Sequence, residues 1–225
     1  MRHFWILGLL LAGLGVGCGS SRSSSTGQLR FVQASPLPGQ VQLLVDSSQQ
    51  ASNLNYANAT GYLTVKAGSR HVQVLPVSGS TSALLDKSIS IKSTPNQTLL
   101  MTGASGSISS VLLNDANTTA VTGDIHVRVL NAASSMGAAD VYLLAAGSSL
   151  VGATPVANGP FSFDQDTGYQ TVATGGYQVV MAVPGTTKTL LSTGPLNPSS
   201  SSQNQTVVIL DSLPGGFTFI VLQDQ

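Results

Sequence analysis

Few side chains in this sequence could do chemistry, and they are scattered. Three histidines, nine aspartates, no glutamate and one cysteine are spread over 225 residues. His3 lies in an apolar leader. His71 falls at a polar phase of His71-Val72-Gln73-Val74-Leu75, and His126 aligns with Gln28 of an internal repeat, so both read as solvated side chains. No Cys/His cluster has the composition of a zinc site. Serine is abundant, but a Ser–His–Asp arrangement needs a nucleophile and an oriented base. Gly103-Ala104-Ser105-Gly106-Ser107 misses the G-x-S-x-G spacing by one residue. Asp164-Gln165-Asp166-Thr167-Gly168 sets two carboxylates at alternate positions before a glycine, as at the start of a calcium loop. The acids that would complete such a loop are missing, and the same residues favour a turn. Asp164 and Asp166 are therefore weak metal candidates. The expectation is a chain with no catalytic residues, no cofactor and no built metal site.

The composition restricts the elements that position these residues. Hydrophobic residues make up 42% and charged residues only 8%, with nine Lys/Arg against nine Asp. Such a balance offers no basic face to nucleic acid. Without Glu and with few Lys, the chain lacks the material of exposed helix faces. A helical bundle is excluded, and so is the charged, aliphatic-poor composition of disordered chains.

The start of the chain reads as an address. Met1-Arg2-His3 precedes an apolar run from Phe4 to Gly17, which is followed by Cys18 and the Ser-rich stretch Gly19 to Gly27. A basic start and a short apolar run fit a secretory signal peptide over 1–17. The run falls short of the roughly 20 residues of a membrane span. Cys18 is the only cysteine, so it has no intramolecular disulfide partner. Its place after the apolar run, with Gly17 before it, resembles the lipobox of bacterial lipoproteins. That resemblance implies cleavage before Cys18, acylation of Cys18, a tether over 18–27, and anchorage at the cell envelope. Gly19 in place of Asp points to the outer membrane. A secreted protein with a free thiol, or an uncleaved anchor, is the alternative.

Beyond the tether the sequence repeats. Leu29-Arg30-Phe31-Val32-Gln33-Ala34 matches Val127-Arg128-Val129-Leu130-Asn131-Ala132, and Val41–Val45 matches Val141–Ala145. Thr60-Gly61-Tyr62 matches Thr167-Gly168-Tyr169, Gly68 matches Gly175, and Asn96-Gln97-Thr98 matches Asn204-Gln205-Thr206. The order is kept while the offset grows, so the second copy carries insertions, the largest around Ala146–Pro160. Short runs rich in Val, Leu, Ile and Thr sit between Gly, Pro, Asn and Ser clusters and read as strands. The first copy holds seven: roughly 29–34, 41–46, 61–66, 70–76, 84–92, 97–103 and 108–114. Alternation in Ser88-Ile89-Ser90-Ile91-Lys92 indicates antiparallel sheets with one solvated side. The expected fold class is all-β: two tandem immunoglobulin-like or transthyretin-like antiparallel sandwiches, over 28–115 and 124–225, each with its own core. The Arg30/Arg128 and Asn96/Asn204 pairs read as edge or turn groups, and Tyr62/Tyr169 as sandwich or rim aromatics whose hydroxyls seek partners.

Leu29-Arg30-Phe31-Val32-Gln33-Ala34-Ser35-Pro36, followed by the strand ending in Asp46 and by Thr60-Gly61-Tyr62-Leu63-Thr64-Val65-Lys66-Ala67-Gly68, resembles the DUF4397 family. The second copy is similar more loosely, with Ala133-Ser134 in place of Ser35-Pro36. The resemblance implies a bacterial envelope module, often in tandem on anchored proteins, with no established biochemical activity. The expected function is a non-catalytic, lipid-anchored envelope protein that binds or spaces other components. Its partners would be the membrane, through the anchor, and envelope proteins or glycans. The alternative is a periplasmic ligand- or metal-binding accessory of a transport or secretion system; a hydrolase comes last.

Overall fold

A computed structural model describes residues 25–37, 39–115, 123–157, 160–173, 175–198 and 204–224. The leader, Cys18, most of the tether and residues 116–122 between the two repeats lie outside the described residues. Every regular element among the described residues is a strand. The first half holds β1 (Thr26–Gln33), β2 (Val41–Val45), β3 (Ser48–Leu54), β4 (Asn58–Ala59), β5 (Leu63–Lys66), β6 (Gly68–Pro76), β7 (Leu85–Ile91), β8 (Gln97–Ala104) and β9 (Ser107–Asn114). The second holds β10 (Asp124–Asn131), β11 (Asp140–Ala145), β12 (Gln170–Ala173), β13 (Tyr177–Ala182), β14 (Thr189–Ser192), β15 (Asn204–Asp211) and β16 (Phe217–Asp224).

The strands form four sheets, two in each half. In the first half one sheet runs β4-β1-β8-β9, with β5 also on β1, and the other runs β3-β2-β6-β7. In the second half the sheets are β12-β10-β15-β16 and β11-β13-β14. Each half buries its own core between its sheets. Leu29, Phe31, Leu99 and Met101 meet Val41, Leu43, Val72 and Val74 in the first. Val127, Val129, Val207 and Ile209 meet Val141, Tyr177, Val179 and Met181 in the second. Burying each such side chain contributes about 1.5–3 kcal/mol.

A third core lies between the halves. Val32, Leu100 and Leu113 pack with Leu130, Val208 and Leu222. The β1–β8 sheet and the β10–β15 sheet are thus covered on both faces, and their strands are buried nearly end to end. This accounts for a departure from an all-antiparallel reading. The ladders are antiparallel except that β1 pairs with β8, and β10 with β15, in parallel. Strands buried on both faces are the usual setting for parallel pairing, and their continuous apolar runs carry no alternation to read.

Two strands of the first half are additional to the seven expected. β3 is polar and half-exposed, so apolar periodicity does not mark it. It forms because Asp46 and Ser47 turn the chain with positive φ values of 50° and 65°, folding β3 back on β2. Among the described residues no strand of the second half pairs with β11 in the place of β3. There the insertion after β11 crosses the outer sheet face, where Leu150 and Ala153 pack on Tyr142, Val180 and Ala182.

Candidate functional site

The densest grouping of charged side chains sits in the seam between the halves. Arg30 on β1 and Arg128 on β10 are 4% and 3% exposed, which corrects their reading as edge or turn groups. Each guanidinium meets the carboxylate that ends the other half. Arg30 pairs with Asp224, and Arg128 Nη2 donates to Asp115 Oδ1 at 2.6 Å. The remaining contacts repeat with the same reciprocity. Arg30 Nε donates to Thr98 Oγ1 at 2.9 Å and its Nη1 to the Gln223 carbonyl at 2.8 Å. Arg128 Nε donates to Thr206 Oγ1 and its Nη1 to the Asn114 carbonyl, both at 3.0 Å. Thr98 Oγ1 donates to Asp115 at 2.5 Å and Thr206 Oγ1 to Asp224 at 2.6 Å.

The two tyrosines close this cluster. The Tyr62 hydroxyl donates to Asp115 at 2.8 Å and the Tyr169 hydroxyl to Asp224 at 2.7 Å. Arg30 lies 4.8 Å from the centre of the Tyr62 ring, and Arg128 4.6 Å from that of Tyr169. Their expected search for hydroxyl partners is met here. Burial pushes both hydroxyls above the ordinary tyrosine range, and the neighbouring carboxylates add to the rise. Burial alone would lower the Arg128 pKa, but Tyr169, Asp224 and Asp115 outweigh it and raise it. Two cations and two anions cancel within hydrogen-bonded contact, as buried charges require. The carboxylates are held by Arg, Thr and Tyr donors together. Chemically, the arrangement is a fastening.

Other pairs fasten the seam elsewhere. The Tyr56 hydroxyl donates to the Asp211 carbonyl at 2.6 Å, and Thr102 Oγ1 to Asp164 Oδ2 at 3.2 Å. Asp164 and Asp166 therefore serve different roles. Asp164 reaches across the seam from a backbone φ of 62°, while Asp166 Oδ1 accepts the Gly168 N–H at 2.8 Å within its own turn. Both line an open depression of about 700 Å³ with Val156, Phe161, Gln165 and Gln170. No group of three or more His, Cys, Asp or Glu side chains placed to share a metal ion occurs among the described residues.

His71 and His126 stand apart from both places. His71 Nε2 lies 2.6 Å from Asp86 on a half-exposed sheet face, and Gln73 donates to the same carboxylate at 2.8 Å. His126 Nδ1 lies 3.0 Å from Asn204 Oδ1. Asn204 is buried at the start of β15, against its reading as an edge group. Ser105 sits in the tight turn between β8 and β9. Asp115 and Asp224 escaped the sequence reading, although each closes a repeat as an amide followed by Asp, in Asn114-Asp115 and Gln223-Asp224.

Residues 27–142 match the family described as "Domain of unknown function (DUF4397)". The match covers β1 to β9 and continues through β10 into β11. The chain belongs to the DUF4397 family. No curated protein matches this DUF4397 protein. Among solved structures it is similar to CBMbc, a family CBM26 module from Eubacterium rectale Amy13K crystallised with maltoheptaose. The identity is 14%, over 89% of this chain and 97% of that one, with a TM-score of 0.27.

Proposed function

We propose that this DUF4397 protein is a non-catalytic cell-envelope module, lipid-anchored through Cys18, whose two repeats act as one rigid block that binds or spaces other envelope components. The observation that carries this reading is the fate of the strong functional groups. Arg30, Arg128, Asp115 and Asp224 are spent on joining the halves, with Thr98, Thr206, Tyr62 and Tyr169. Catalysis needs such groups converging on a cleft with displaced protonation equilibria. Binding needs only a held surface. The second repeat, read as another DUF4397-like unit, carries that surface in the insertion over Ala146–Pro160 and the adjoining depression.

The test is capture of envelope proteins and glycans by the immobilised full chain, with and without a shortened 147–155 loop. Partners lost on shortening, with the fold retained, support the reading; an unchanged set excludes the loop as the contact. Turnover of an ester, peptide or glycoside that depends on His71 or His126 overturns the non-catalytic assignment. The second reading, a ligand-binding accessory, is favoured by the depression beside Asp164 and Asp166. Saturable binding of a small solute, lost in Asp164→Asn/Asp166→Asn, would put it first.

A further inference from the structure

We propose that the outer edge of β16 is a docking edge for a second copy of this chain, joined strand to strand in antiparallel fashion. This goes beyond the binding-module reading and does not depend on it. β16 lies at the margin of its sheet and pairs with β15 in unbroken register from Asn204↔Asp224 to Asp211↔Phe217. The Ile209 carbonyl accepts from Ala132 N, so Gln205, Val207 and Ile209 turn their backbone groups toward β10. Val208 and Leu210 therefore bond with Ile220 and Thr218, while Phe217, Phe219 and Val221 turn their N–H and C=O groups outward. No strand among the described residues pairs with that side.

The repeat supplies an internal control. By the same phase, Ile108, Ser110 and Leu112 face outward on β9, the margin of the first half. That edge is guarded: Lys87 on β7 reaches across and donates to Ser110 Oγ at 2.8 Å. Charged side chains, Pro and bulges are the devices that keep sheet edges from pairing. β16 has none over Phe217–Val221, Arg30 taking the outward Gln223 carbonyl only beyond that stretch, and the facing β14, Thr189-Leu190-Leu191-Ser192, is uncharged.

The occupant follows from self-complementarity. An antiparallel two-fold pairing centred on Phe219 sets Phe217 against the second copy's Val221 and Phe219 against Phe219. Apolar residues meet apolar residues, and no like charges meet. Asp224 lies beyond the paired stretch and is tied inward to Arg30 and Thr206. Three outward residues on each copy would exchange about six hydrogen bonds, two per directly opposed pair. Such an isologous contact closes at two copies, and the guarded β9 edge does not extend it.

The experiment follows the full chain in mild detergent by sedimentation across micromolar to millimolar concentration, with amide hydrogen exchange at both ends of the range. The expected result is a doubling of protein mass at high concentration. The Phe217, Phe219 and Val221 amides should become protected in step, while those of Ile108, Ser110 and Leu112 are unchanged. Thr218→Lys, which gives β16 a charge like the one at β9, should return the chain to one copy. A chain that stays single throughout overturns the proposal. So does a dimer that leaves those three amides unprotected, or one that persists undiminished in folded Thr218→Lys.

Discussion

Arg30→Met tests whether the seam holds the molecule together. The substitution keeps an apolar stem in a buried position and removes the donors to Thr98, the Gln223 carbonyl and Asp224. Asp224 retains the Thr206 and Tyr169 hydroxyls, but its nearest remaining cation, Arg128, stands 3.8 Å away. Removing one partner of a buried pair typically costs about 3–5 kcal/mol. For a chain of this size, at about 2–4 °C per kcal/mol, melting should fall by about 6–20 °C. Arg70→Met is the matched control. Its 3.0 Å pair with Asp46 is solvent-exposed, so its loss should cost no more than about 1 kcal/mol. Near-ultraviolet circular dichroism of the tyrosines can follow unfolding, since Tyr56 and Tyr62 report the first half and Tyr142, Tyr169 and Tyr177 the second. The wild-type signals from both halves should move in one transition. If Arg30→Met costs no more than Arg70→Met, the seam is not a fastening and the argument from its burial is wrong.

Cys18→Ser should abolish incorporation of labelled palmitate; equal labelling of both proteins would remove the lipid anchor from the proposal. Tyr62→Phe and Tyr169→Phe should each cost about 1–3 kcal/mol, because a buried carboxylate loses a donor, as chemical denaturation would show. The buried tyrosines have folded-state pKa values raised above the unfolded one, so above about pH 10 the unfolded chain holds fewer protons and stability falls as pH rises. Tyr62, Tyr169 and Tyr177 should ionise only as the chain unfolds, which absorbance titration will detect. The hydrogen bond from His71 holds the Asp86 carboxyl below the usual carboxylate range, with Gln73 assisting. His71→Gln should move it upward in a carbon-detected titration, and the stability from this contact is confined to pH above that depressed value, being lost as pH falls through it.

Much of the strand set is legible in the sequence because it depends on local chemistry. Val72 and Val74 alternate with His71 and Gln73, so β6 announces both its conformation and its buried face. β3 does not, since Ser48-Gln49-Gln50 is polar and its pairing is imposed by the turn at Asp46 and Ser47. Strand order is also hidden. Nothing local to Arg30 or Thr98 states that β1 and β8 lie side by side in parallel. The seam is not legible in the sequence, although a clue to it is: an arginine inside the apolar runs Leu29–Val32 and Val127–Leu130 is out of place on a solvent edge. Its counter-ions come from Asp224 and Asp115, distant in sequence, so only the fold joins them.

The repeat's likeness and its differences lie in different places, and that separation has a physical reason. Reciprocal pairing makes Arg30, Thr98, Tyr62 and Asp115 interdependent with Arg128, Thr206, Tyr169 and Asp224. A change in either half leaves a buried charge in the other without its partner. The outer surfaces carry no such constraint, and there the halves diverge. β3 is present in one and has no counterpart among the described residues of the other, where Leu150 and Ala153 pack on the outer sheet face instead, and Lys87 has no charged counterpart on β14. Residues common to both halves therefore report the fastening. Anything the protein does to another molecule should be sought where the halves differ, at the insertion with its depression and along the open edge of β16.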